Sequence, residues 1–152
     1  MSHIATKTIR CGGELPAFLA MPKTDKASAI VLMHERYGLV QHTRDLARRF
    51  ARDGFVCIAP DFFHKHPDQE ALHRGAVGYD MTDPEAVVYL EAALSALAAL
   101  PQVDPAKIAV MGVCQTGRHP LVLAAQRPIA AALVWYGAAS KREWDEIGRA
   151  HV

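Results

Sequence analysis

KIAVMGVCQTG, residues 107–117, is the stretch on which the reading of the whole chain turns. Ile108, Ala109, Val110 and Met111 form a short apolar run of the kind that makes a buried strand. Gly112-Val113-Cys114-Gln115-Thr116-Gly117 then reads as a sharp turn into a helix. A tight strand-to-helix turn lifts one side chain clear of the sheet and exposes its functional atom at the carboxyl edge. Gly112 and Gly117 stand two before and three after Cys114, where a Cβ would collide as the backbone doubles back. A thiol placed there faces a helix N-terminus, whose unpaired N–H groups and positive dipole end favour the thiolate. Set against this, free cysteine also behaves as a small buried hydrophobe. The surrounding strand and helix, and a second motif upstream, decide in favour of a nucleophile.

Working outward, the segments on either side alternate strand with helix. Residues 29–34 (Ala-Ile-Val-Leu-Met-His) are a continuous apolar run, as expected of a strand covered on both faces. Residues 43–53 show helical spacing, with Leu46, Ala47 and Phe50 on one face, Arg44, Arg48 and Arg52 on another, and Gly54 as a stop. Residues 55–59 read as another buried strand. Residues 62–82 are polar and form a long connection with a short helix near 69–74. Asp83-Pro84-Glu85 opens the clearest helix, with Asp83 as its expected N-cap. The helix after the turn should run to Gln126, but Pro120 within it predicts a kink or a late start. Residues 130–136 (Ala-Ala-Ala-Leu-Val-Trp-Tyr) give a sixth strand, and residues 6–10 and 15–21 pair around Cys11-Gly12-Gly13-Glu14 as an opening hairpin. The expected fold is α/β, a mostly parallel sheet flanked by helices, with its site outside the strands' carboxyl ends.

Composition narrows the function classes. The 152 residues are 51% hydrophobic and 22% charged with a formal net charge of +1, enough for one domain with a core and without the basic signature of a nucleic-acid partner. No segment approaches the roughly 20 apolar residues that span a bilayer, and the start lacks an apolar leader core, so a cytoplasmic protein is expected. Cys11, Cys57 and Cys114 are too irregularly spaced for a disulfide framework or a zinc knuckle. His64 and His66 lack a defined third ligand and read as solvated, and His34 at a strand end reads as a structural, hydrogen-bonded residue.

The second motif is His34-Glu35-Arg36-Tyr37-Gly38, at the end of the third strand. Together, E-x-[FY]-G after strand three and G-x-C-x-x-G after strand five resemble the dienelactone hydrolase family of the α/β-hydrolase superfamily. The order of Ala59-Pro60-Asp61-Phe62-Phe63, the Asp83 helix and Trp135-Tyr136-Gly137 agrees, and the resemblance covers about residues 15–146. It implies that Cys114 attacks an ester or lactone carbonyl to form an acyl-thioester, with the backbone N–H groups of Arg36 and Gln115 facing the oxyanion. It implies that Glu35 interacts with the resting cysteine, where a bland reading pairs Glu35 with Arg36. Substrates of the family carry a carboxylate held by arginines, for which Arg74 and Arg118 are candidates, with Tyr79 a further substrate-binding candidate. No metal or organic cofactor is needed. Thr116 stands where many members carry glycine and is expected to tighten the turn.

The family's catalytic Asp and His follow strands seven and eight, whereas this chain reads as strands one to six only. His119 lies five residues past Cys114, too far round to take its proton from the strand side. Residues 147–152 (Ile-Gly-Arg-Ala-His-Val) resemble a translated sequencing-library adapter, so 1–146 is read as a partial hydrolase domain and His151 receives no role. Strand 130–136 would then be an apolar edge prone to self-association. A competing class is a non-catalytic or redox-responsive binding module that presents Cys114 as an exposed thiol.

Overall fold

The computed structural model describes residues 3–137 and Asp145; the tail read as foreign, 147–152, lies outside them. The strands are β1 (Ile4–Cys11), β2 (Leu15–Pro22), β3 (Ala27–Leu32), β4 (Val56–Pro60), β5 (Val103–Val113) and β6 (Ala131–Trp135). The helices are α1 (Gln41–Arg52), α2 (Gln69–His73), α3 (Asp83–Ala98) and α4 (His119–Ala124). They form one sheet in the order β1-β2-β4-β3-β5-β6. The β1–β2 and β2–β4 pairs are antiparallel, and β4, β3, β5 and β6 run parallel.

Strand alternation explains how the sheet is covered. Val31, Ile58 and Val110 point to the face packed by Leu90, Leu94 and Leu97 of α3 and by Leu123 of α4. Ile30, Leu32, Cys57, Met111 and Val113 point to the opposite face, packed by Ala47 and Ala51 of α1. Period-2 strands buried on both sides are what their unbroken apolar runs require. On α1, Leu46 and Phe50 complete the inner face as expected, and Arg48 lies over the Phe18 ring at 4.8 Å. The helical stripe and the sheet pattern therefore agree on the same layers.

Two expectations about helix starts are corrected. Asp83 does not cap α3: Thr82 does, its Oγ1 accepting from the Glu85 N–H at 3.3 Å, while Asp83 is the first helical residue. Its carboxylate is turned instead toward the start of α4. The segment after β5 is not one helix from Gln115 to Gln126. A single 3₁₀ turn spans Cys114–Thr116 and α4 begins only at His119. Pro120 sits in the first turn of α4, where its missing N–H costs nothing, so the late start is the one realised. The N-terminus of α4 is accordingly set back from Cys114, which opens the 3₁₀ turn instead.

Among the described residues, β6 leaves one edge of the sheet unpaired, with Leu133, Val134 and Trp135 exposed. No helix of the described residues is long and apolar enough to cross a membrane.

Candidate active site

The register of the parallel strands builds the site. Leu32 pairs with Met111, and Val113 pairs with Trp135. Continuing each strand by a few residues brings Glu35, Cys114 and Tyr136 to one row along the carboxyl edge. Met33 N–H donates to Met111 C=O at 2.8 Å, which extends the β3–β5 ladder past the last strand residue of β3.

Cys114 is half-buried and has φ +54°, a left-handed conformation that a side-chain-bearing residue adopts only where its surroundings impose it. Those surroundings are bare backbone. A Cβ on Gly112 would lie 2.5 Å from the Thr116 carbonyl oxygen and 2.8 Å from Gly117 Cα. A Cβ on Gly117 would lie 2.5 Å from Gly137 Cα. Gly117 itself has φ −59°, so its need is space rather than a positive φ. Both expected glycine roles hold, and Gly137 joins them from the end of β6.

Among the described residues, Glu35 forms no ion pair with Arg36. The Tyr136 hydroxyl donates to Glu35 Oε1 at 2.7 Å, and His42 Nε2 lies 3.9 Å from the same oxygen. Among the described residues, no hydrogen bond joins Glu35 to the Cys114 thiol. Tyr136 is itself at φ +40°, and partial burial together with the Glu35 carboxylate pushes its phenol up to about 12, so it is a donor at neutral pH. A cavity of about 180 Å³ opens beside this pair, lined by Met33, Glu35, His42, Leu46, Trp135 and Tyr136. Tyr136 and His42 were not singled out from the sequence. The signal for Tyr136 was its place in Trp135-Tyr136-Gly137; for His42, at the exposed start of α1, the sequence offered none.

The other candidates disperse. The Arg36 guanidinium turns to the Gly75 carbonyl at 3.0 Å and lies over the Tyr37 ring, leaving its backbone amide at the β3 end. Arg74 is exposed at the C-cap of α2, 3.9 Å from Glu70. Arg118 Nη2 donates to Asp83 Oδ2 at 2.8 Å, and His119 Nδ1 lies 3.4 Å from Asp83 Oδ1. Burial lowers His119 despite that carboxylate, and the pair ties the start of α4 to the start of α3. The Tyr79 hydroxyl is committed to Glu85 at 2.5 Å, whereas its carbonyl accepts from Gln115 Nε2 at 2.7 Å. Tyr79 thus meets the nucleophile turn through its backbone. His64 and His66 each contact nearby main-chain carbonyls, and among the described residues no three His, Cys, Asp or Glu side chains are placed to hold a metal. Cys11 and Cys57 are buried, which pushes both thiols up, Cys11 to about 11.

His34 is structural, as its position at a strand end suggested. Its Nδ1–H donates to the Glu35 carbonyl at 2.7 Å and its Nε2 accepts from the Phe62 N–H at 3.0 Å, which defines a neutral ring. Burial lowers its pKa to the same end. Thr116, far from merely tightening the turn, is fully buried with Oγ1 2.8 Å from the His34 carbonyl and accepting from the Val113 N–H at 3.1 Å.

Comparison with known proteins agrees with this fold. A protein of Methylorubrum extorquens provisionally named carboxymethylenebutenolidase is 28% identical over 132 residues, 82% of this chain and 45% of its own. A protein of the same provisional name from Yersinia pestis is 29% identical over 134 residues, 83% of this chain and 50% of its own. The chain therefore spans about half the length of these curated relatives. Among solved structures, a provisional dienelactone hydrolase from Klebsiella pneumoniae superposes with a TM-score of 0.70 at 27% identity, covering 92% of this chain and 62% of that one. A dienelactone hydrolase-like promiscuous phosphotriesterase from metagenomic libraries shares the fold, with a TM-score of 0.75 at 23% identity over 95% of this chain and 65% of its own. The model of the dienelactone hydrolase family matches residues 15–151, nearly the whole chain, and the chain belongs to that family.

Proposed function

We propose that this chain carries the nucleophile half of a cysteine hydrolase that opens a lactone or ester bond in a small carboxylate-bearing substrate. The observation that carries the reading is Cys114 at φ +54° on the carboxyl edge of β5, in register with Glu35 and Tyr136. The deprotonated Cys114 sulfur adds to the carbonyl carbon, and the carbonyl electron pair moves to oxygen. The amides of Arg36 and Gln115, at the ends of neighbouring strands, face that oxyanion, a donor type whose loss costs about 10²–10³ in rate. Collapse breaks the carbon–oxygen bond to the alcohol and leaves a thioester on Cys114, which water cleaves to regenerate the thiol. The resemblance assigns the proton transfers to a His oriented by an Asp beyond the sixth strand, and among the described residues no imidazole is hydrogen-bonded to the Cys114 thiol. Arg74, exposed near Arg36, is the better placed of the two arginines for a substrate carboxylate, since Arg118 would have to leave Asp83.

The test is acylation by p-nitrophenyl acetate followed by peptide mapping. An acetyl group on Cys114, absent in Cys114→Ala, is the expected result. Alkylation of Cys114 by iodoacetamide with no acetylation would instead favour the thiol-bearing module without turnover.

A further inference from the structure

Thr116 occupies a position that an elbow can leave to glycine, yet here its hydroxyl is fully buried between the two backbone arms of the site. Oγ1 accepts from the N–H of Val113, the residue before the nucleophile. It lies 2.8 Å from the carbonyl oxygen of His34 and 2.9 Å from that of Val113, so its single proton serves the His34 carbonyl across the strand gap or closes on its own turn. His34 lies two residues before Arg36. The side chain of His34 then carries the connection onward, Nδ1–H to the Glu35 carbonyl and Nε2 from the Phe62 amide. Val113, Thr116, His34, Glu35 and Phe62 thus form one chain of hydrogen bonds from the end of β5 to the ends of β3 and β4.

We infer that the Thr116 hydroxyl is a positioning residue for the oxyanion pair: it fixes the spacing between the Arg36 amide on the β3 arm and the Gln115 amide on the β5 arm. The inference rests on the hydrolase reading above. Three features separate it from simple core filling. The hydroxyl bonds backbone at the ends of two different strands, it does so two residues from each donor-bearing residue, and it is itself buried, with His34 only 1% exposed. Donors aimed at a developing charge act through fixed geometry, and an error of about 1 Å in such positioning costs on the order of 10²-fold in rate. On this inference the strained turn and the flanking glycines place the Cys114 sulfur, and the hydroxyl acts on the oxyanion donors.

That separation gives the experiment. Acetylation of Cys114 by p-nitrophenyl acetate develops an oxyanion, whereas alkylation by iodoacetamide is a displacement at carbon that develops none. In Thr116→Val, which keeps the branched shape and removes the hydroxyl, the acetylation rate is expected to fall about 10- to 100-fold, with alkylation within about twofold of the unaltered chain. Thr116→Ser should restore acetylation to within about threefold, because it keeps the hydroxyl. Thr116→Ala removes the same hydroxyl with less bulk and stands in if the valine variant does not fold. Unchanged acetylation in the valine or alanine variant overturns the inference, as does an equal fall in both reactions, which would mean that the hydroxyl holds the whole turn. If the unaltered chain alkylates but does not acetylate, the hydrolase reading fails first and takes this inference with it.

Discussion

On the β3 side of the nucleophile turn, Thr116 and His34 are buried and their side-chain polar atoms are hydrogen-bonded to main chain of three strand ends. On the β6 side, Trp135 and Tyr136 are 51% and 59% exposed, and the contact that matters is bare backbone, Gly137 against Gly117. The turn residues themselves are therefore held by buried side-chain hydrogen bonds on one flank and chiefly by steric fit on the other, where the Tyr136–Glu35 bond and the β5–β6 ladder lie beside the turn. Buried hydrogen bonds lose the full desolvation cost of the orphaned partner when broken, whereas a steric contact to an exposed edge strand can relax by small movements. The β3 flank should be the stiff one and the β6 flank the compliant one.

Substitutions that add or remove atoms on each flank measure that difference. Gly112→Ala meets backbone of the turn and the Pro120 ring together, with no exposed element free to give, and is expected to destabilise by about 3 kcal/mol in urea unfolding. His34→Leu leaves the Phe62 amide and the Glu35 carbonyl without their partner in a dry site, for a loss of about 2 kcal/mol by the same measurement. Gly137→Ala presses on Gly117 but can push the exposed end of β6 outward, so about 1 kcal/mol is expected. A cost for Gly137→Ala equal to that of Gly112→Ala would show that the β6 flank is as rigid as the other.

Acid sharpens the comparison from the electrostatic side. Burial holds the His34 and His119 imidazoles below the ordinary histidine value of 6.5, so below 6.5 the unfolded chain binds more protons than the folded one. Stability is full above that pH and falls as the pH drops toward the lowered folded values. The slope of unfolding free energy between neutral and mildly acid pH should shrink in His34→Leu and again in His119→Gln. A slope unchanged by both would mean that neither ring is held neutral. The smallest effect is expected on the open edge. Leu133→Lys should change stability by no more than about 0.5 kcal/mol while reducing the self-association expected of strand 130–136, read by sedimentation.

Much of this was written in local pattern. The apolar runs at 29–34 and 108–111 set central strands because only a strand covered on both faces can be apolar at every position, and the helical stripe on Leu46, Ala47 and Phe50 set the layer below them. The glycine spacing around Cys114 foretold the turn, and Pro120 foretold the delayed α4. What pattern could not give was the choice among equivalent polar groups. Thr82 and Asp83 are both good caps, and the decision went to Thr82 because the Asp83 carboxylate had Arg118 and His119 to meet across 35 and 36 residues. Glu35 had Arg36 beside it in sequence, but Tyr136, 101 residues away, lay in register across β5. Thr116 read as a tolerated departure until the fold placed the His34 carbonyl 2.8 Å from its hydroxyl.

The sequence by itself determined the alternation of strands and helices, the sharp cysteine turn and the family, because periodicity, glycine spacing and short motifs are properties of neighbouring residues. Only the tertiary structure decided who holds whom at the site, because a hydrogen bond depends on strand register and burial, and both are set by residues far apart in the chain.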